Sequence, residues 1–194
     1  MIMASWAPLF YDDRVIPGMS SSLRLIPTGI GGWPHGLIHF DDRTVYGTPS
    51  YHMVKMLAEV RGDYNLYHEE KLENERDYVR FSREYAEAKK GKLGDSVGLR
   101  TLASYDEETK RIAFRVVNLD DAEASVTINV QNVTGSINKV SVTTLTGPHK
   151  YMMNSVVYPT LIAPVTKEVE VKDNSITYTV PALSLTVFNF YPSQ

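Results

Sequence analysis

The sequence predicts a mainly β protein, an antiparallel and jelly-roll-like sandwich preceded by one strand–helix unit. Three observations lead there. From residue 97 onward apolar residues recur at every second position in short runs, each bounded by Gly, Pro, Asn or Asp. Ahead of those runs, residues 45–62 show a readable helix start, helix stop and buried face. Earlier still, residues 2–10 are apolar almost throughout, as in a strand covered on both faces of a parallel sheet.

Composition limits what such a chain can do. With 194 residues, 43% hydrophobic and a net charge of -3, it has apolar material for one core or two small ones. Lys and Arg are scattered and form no basic patch of the sort a phosphate backbone needs, so nucleic acid is not an expected partner. The absence of cysteine excludes disulfides and thiolate metal sites. No apolar run approaches the ~18 residues of a spanning helix, so no membrane segment is expected. The first ten residues carry neither a basic leader nor an apolar stretch long enough for a signal peptide.

In order along the chain, the strand at 2–10 is expected to end near Pro8. A long connection over 11–47 follows, rich in Gly, Pro and Ser, with Trp33-Pro34 behind the glycines at 29, 31 and 32. Thr48 is then placed to cap the helix, Pro49 occupies its first turn, and Gly62 is expected to end it in a left-handed conformation. His52, Lys55 and Glu59 share a polar stripe. Met53, Val54, Met56, Leu57, Ala58 and Val60 cover the rest, an arc wide enough to predict packing on a sheet. Strand, loop and helix together make one unit of the kind that α/β barrels repeat, with sites at the carboxyl ends of the strands.

Residues 67–92 are dense in charge of both signs. Tyr78, Phe81 and Tyr85 are spaced for a short helix, although 78–82 also alternates as a strand, and the stretch 64–96 reads as a charged surface insertion or connection. Beyond it come strands at 99–105 and 111–118, joined into a hairpin by Asp106-Glu107-Glu108-Thr109. Further strands fall at 124–130, 137–145, 166–171, 175–180 and 183–190. Val169, Val171, Ile176, Tyr178 and Val180 alternate around Asp173-Asn174, which predicts a last hairpin with one covered face.

Chemistry-bearing patterns are few. His35, His39, His52, His68 and His149 form no close pair with a carboxylate on one helix face, so no metal site is expected. The glycines at 29–32 precede no strand-to-helix junction, and the serines lack the strand–turn–helix setting of a hydrolase nucleophile. No cofactor is expected.

Several motifs nevertheless carry a resemblance. The run 3–10, then Trp33-Pro34, 37–41 and 45–51, is similar to the end of the catalytic barrel in family 51 α-L-arabinofuranosidases. Val116-Val117-Asn118-Leu119, Leu145-Thr146-Gly147, Asn154-Ser155, Pro159, Pro164-Val165 and the closing run 178–187 resemble that family's C-terminal sandwich. The loop at 11–32 and the stretch 66–96 depart from the pattern.

The resemblance implies three regions: 1–63 as the last strand–loop–helix unit of a (β/α)8 barrel, 64–96 as the insertion, and 97–194 as the C-terminal β-sandwich. It further implies a parent enzyme that removes terminal α-L-arabinofuranosyl units from arabinan or arabinoxylan with retention, using two glutamates about 5–5.5 Å apart. In the family both glutamates lie on earlier barrel strands, so no catalytic residue is assigned here and the chain alone is expected to be inactive. The implied partners are the barrel of the parent chain and an arabinose-containing polysaccharide or oligosaccharide, with self-association as a way to cover apolar surface. Trp33 is the expected substrate-binding residue. The alternative is a carbohydrate-binding module, for which Trp6, Trp33, Tyr46 and Tyr51 are the candidate aromatics; its signature would be rings that face solvent together.

Overall fold

The computed structural model describes residues 9–12, 36–69, 99–149 and 152–193. Among them the chain forms β1 (Phe10–Asp12), β2 (Ile38–Phe40), β3 (Val45–Gly47), α1 (Pro49–Glu59) and β4 (Tyr64–Leu66). There follow β5 (Leu99–Tyr105), β6 (Ile112–Asn118), β7 (Ala124–Asn129), β8 (Lys139–Thr146), β9 (Val165–Glu170), β10 (Ser175–Val180) and β11 (Ser184–Phe190). Two compact units result, one from residues 1–59 and 145–165, the other from 60–144 and 166–194. The aromatic spacing at 78–85 and most of the apolar run at 2–10 lie outside the described residues.

The second unit is an antiparallel sandwich of the expected class, although its bounds differ from the expected 97–194: it takes in β4 and leaves out 145–165. Its larger sheet has the order β4-β5-β6-β11-β8-β9 and its smaller one pairs β10 with β7. Alternation explains the core: Val140 and Val142 point inward at 0% exposure, while the intervening Ser141 is only half-buried. Val116, Val180, Phe188 and Phe190 join them at 0%. Tyr178 meets Phe188 edge to face with centroids 5.3 Å apart, which links the two sheets by a favoured aromatic geometry.

The hairpin of β5 and β6 forms in the register Leu99↔Asn118 to Tyr105↔Ile112. Its turn is fixed by Asp106 Oδ1, which accepts from the Thr109 N–H at 2.8 Å and the Thr109 hydroxyl at 2.6 Å. The expected last hairpin is corrected. Asp173 and Asn174 do make a tight turn, with φ of 52° and 56°, and Lys172 and Ser175 exchange backbone hydrogen bonds across it. Yet β10 then pairs with β7 and β9 joins the other sheet, so the turn carries the chain from one layer to the next. Both strands thereby direct their apolar faces into one core.

Gly62 also differs from expectation. The helix ends at Glu59, and among the described glycines only Gly135 has a positive φ. The reason for a glycine at 62 is space: a Cβ there would lie 2.6 Å from the Tyr105 carbonyl oxygen. Nearby, the buried Arg115 guanidinium donates to the Val60 carbonyl, and Asp63 N–H donates to the Tyr105 carbonyl at 2.8 Å.

In the first unit β1 runs parallel to β2, in the register Phe10↔Ile38 to Asp12↔Phe40, and β2 pairs antiparallel with β3. The long connection read over 11–47 therefore contains two short strands. Sequence periodicity could not find them, because three residues are too few to show a period. Their turn is held by Asp41 Oδ1, which accepts from the Arg43 and Thr44 N–H groups at 2.8 and 2.6 Å. The strand expected at 2–10 is described only at its end, where Leu9 and Phe10 are 46% and 59% exposed rather than buried.

Helix α1 starts as predicted. Thr48 Oγ1 accepts from the Tyr51 N–H at 3.2 Å and donates to the Leu37 carbonyl at 3.0 Å, so one hydroxyl caps the helix and ties it to the residue before β2. The wide apolar arc is only partly covered. Met56 is buried at 4%, whereas Met53, Val54 and Leu57 are 38–40% exposed.

Candidate functional site

The sequence places its candidate residues around β2, β3 and the start of α1. Trp33, the expected substrate-binding residue, and Trp6 lie outside the described residues. Tyr46 is buried at 8% exposure, its hydroxyl 3.5 Å from Nδ1 of the more deeply buried His39, with ring centroids 5.5 Å apart. Tyr51 is half-buried and lies across Gly47, where a Cβ would come within 2.3 Å of its ring. These two tyrosines are packing residues. They present no shared aromatic face to solvent, so the signature of the binding-module alternative is not met by them.

A second buried polar group completes this unit and was not singled out for its chemistry. Asn154, at 5% exposure, donates from Nδ2 to the Gly47 and Ile162 carbonyls at 2.8 Å each and accepts at Oδ1 from the Ile162 N–H at 2.7 Å. It satisfies backbone groups that would otherwise be buried without partners, and so fastens the segment 152–162 to the end of β3. The only sequence signal for it was its place in the Asn154-Ser155 motif.

Two carboxylates that close turns, Asp41 and Asp106, are held by the donors of those turns. Backbone N–H donors from Arg43 and then Thr44 hold the Asp41 carboxyl below its usual range. The Thr109 hydroxyl, followed by the Thr109 N–H, does the same for Asp106. A carboxylic acid that must deliver a proton near neutral pH needs the opposite shift. His52, on α1, is lowered by partial burial and by Lys55, which favours its neutral form. Among the described residues no group of three or more His, Asp or Glu side chains converges as metal ligands would, and no helix is long and apolar enough to cross a membrane.

The described elements thus define a class: an antiparallel β-sandwich domain accompanied by a small strand–helix unit. A family model described as the α-L-arabinofuranosidase C-terminal domain matches residues 2–184, and the chain belongs to that family. No curated protein matches it by sequence. Among solved structures it is similar to the arabinose-bound α-L-arabinofuranosidase MgGH51, at 19% identity and a TM-score of 0.64, over 83% of this chain and 22% of that one. It is also similar to the α-L-arabinofuranosidase of Thermotoga maritima in its arabinose complex, at 21% identity and 0.57, over 79% and 31%. The enzyme from Xanthomonas axonopodis pv. citri aligns at 17% identity and 0.56, over 80% and 29%. At these identities the likeness is one of fold, and the chain spans less than a third of the length of these enzymes.

Proposed function

We propose that this chain is the non-catalytic C-terminal part of a retaining α-L-arabinofuranosidase, an enzyme that releases terminal α-L-arabinofuranosyl residues from arabinan or arabinoxylan. In this reading residues 1–63 supply the last strand–loop–helix unit of the catalytic barrel, 64–96 a charged connection whose first residues pair into the sandwich as β4, and 97–194 the sandwich apart from 145–165, which falls in the first unit. The observation that carries it is the uneven covering of α1. A lone helix gains little by leaving Met53, Val54 and Leu57 about two-fifths exposed, since each large side chain kept in water forgoes part of about 1.5–3 kcal/mol. A helix whose apolar arc exceeds what its own unit covers is built to meet further structure, here the preceding barrel. Trp33, on the loop after the strand at the barrel's edge, is proposed to line the sugar site, since loops at the carboxyl ends of barrel strands build that face.

The test is turnover of an aryl α-L-arabinofuranoside by the chain alone. No turnover is expected, because neither the acid/base nor the nucleophile is supplied. Activity that a single Glu substitution in this chain removes would overturn the reading. Without a barrel the apolar surface is expected to pair with a second copy, which sedimentation velocity would register as concentration-dependent mass.

A further inference from the structure

Between β8 and β9 the chain runs through 145–165, a segment that folds with residues 1–59 and not with the sandwich. Its surface chemistry differs from that of the rest. No Asp, Glu, Lys, Arg or His occurs from 151 to 166, in a chain that is 22% charged, and Met153, Val156, Val157, Tyr158 and Leu161 are 36–70% exposed. Strand β9 shows the ordinary pattern directly afterwards, with Lys167, Glu168 and Glu170 turned to solvent. Single apolar residues at a surface need no cause, whereas five large ones on one charge-free loop mark a contact site.

The loop is held in shape by its own hydrogen bonds. Ser155 Oγ accepts from the Tyr158 N–H at 3.1 Å and the Ser155 N–H donates to the Tyr158 carbonyl at 3.2 Å, which closes a turn with Val156 and Val157 at its tip. The Leu161 N–H donates to the same carbonyl at 3.4 Å. At the base, Asn154 fastens the loop to Gly47 and Ile162. A turn so fixed cannot fold its apolar tip back into its own unit, and little ordering remains to be done when a partner arrives.

We infer that residues 153–161 form a docking surface for the catalytic barrel of the parent enzyme, a second contact besides α1. This surface presupposes the C-terminal reading proposed above. Three observations commit it to that occupant. The segment shares a compact unit with residues 1–59, which that reading assigns to the barrel's last strand–loop–helix unit. The chain covers only 22% and 31% of two arabinofuranosidases of the same fold, so in the proposed parent most of the polypeptide is tethered to this surface and docks without the loss of translational freedom that a second copy would suffer. Exposed Met and Tyr without Lys, Glu or Asp is also the composition of an interface core. The face that meets Val157 and Tyr158 is accordingly apolar, with no counter-charge.

The test is hydroxyl-radical footprinting, read by peptide mass spectrometry, of the parent enzyme and of this chain at a concentration where sedimentation shows a monomer. Met153 and Tyr158 are expected to oxidise readily in the chain and about tenfold more slowly in the parent, since an interface core excludes water. Tyr191, on the sandwich at 53% exposure, should react alike in both. Protection should persist when the parent is diluted; protection lost on dilution would assign the surface to a second copy and overturn the proposal. Met53, on α1, keeps the two readings apart. If Met53 is protected in the parent while Met153 and Tyr158 are not, the loop assignment falls and the C-terminal reading stands; if none of the three is protected, both fall. Val157→Asp adds an arm independent of oxidation, expected to lower Tm in the parent and leave it in place in the chain alone, where the side chain is 70% exposed. An equal effect of Val157→Asp on the two proteins would also overturn the proposal.

Discussion

The Asn154 side-chain amide donates to the Gly47 carbonyl at 2.8 Å across 107 positions of sequence. The same amide exchanges two hydrogen bonds with Ile162, so one buried side chain closes a loop and joins it to the strand that leads into α1. Asn154→Ala removes three hydrogen bonds and leaves two carbonyls and one N–H without that partner. At about 1 kcal/mol for each, the expected loss is about 2–4 kcal/mol, read from the midpoint of urea unfolding. Asn154→Asp should be at least as damaging, since a carboxylate then faces the Gly47 and Ile162 carbonyls.

Gly62 is defined by its distance to Tyr105. Because a Cβ at 62 would meet the Tyr105 carbonyl oxygen at 2.6 Å, Gly62→Ala must shift backbone rather than a flexible side-chain end. A destabilisation of about 1–3 kcal/mol is expected. If Gly62 instead served as a left-handed helix stop, Gly62→Asn would be tolerated better than Gly62→Ala. The two substitutions, compared by thermal melting, separate the roles, and the geometry predicts that Asn is the worse.

Acid stability follows from Asp41 and Asp106. Both carboxyls titrate in the folded state below their ordinary value of 3.8, through hydrogen bonds made by the turns they close. A depressed folded-state pKa means that the folded chain holds its protons less readily than the unfolded one. The contribution is therefore complete above the unfolded value and is lost as pH falls through the folded one. Unfolding midpoints should decline from about pH 4 downward, and Asp106→Asn should flatten that decline. A decline of the same steepness in Asp41→Asn, Asp106→Asn and wild type would contradict the assignment.

On the proposed reading, substitution of Trp33 in the parent arabinofuranosidase separates a sugar-site role from a packing role. With Trp33→Ala, kcat/KM on arabino-oligosaccharides is expected to fall while Tm is nearly kept. A fall in Tm with unchanged efficiency per folded molecule would place Trp33 in the core.

Burial of Phe188 gives a check on the sandwich itself. At 0% exposure, in ring contact with Phe114, Tyr178 and Phe190, it sits between the two sheets. Phe188→Ala should cost about 3–5 kcal/mol, measured by denaturant unfolding, and Phe188→Leu distinctly less.

What the sequence determined by itself was local. The two-residue period located β5 and β10 to the residue and β6, β7, β8, β9 and β11 to within two residues at either end, because alternation is written into each strand wherever one face is buried. Thr48 and Pro49 likewise announced the start of α1, since capping involves only neighbours within one turn. The motifs at 3–51 and 116–187 were enough to indicate the family. Strand partnership, by contrast, is set in the folded chain alone. Val171 and Ile176 alternate as an ordinary hairpin would, yet their strands belong to different sheets, because which strand pairs with which depends on faces supplied from far along the chain. The reach of Asn154 to Gly47 and the meeting of Ser193 with Ser136 have the same origin. Each joins positions that no local period relates, and each is held by hydrogen bonds that exist only once the segments have been brought together.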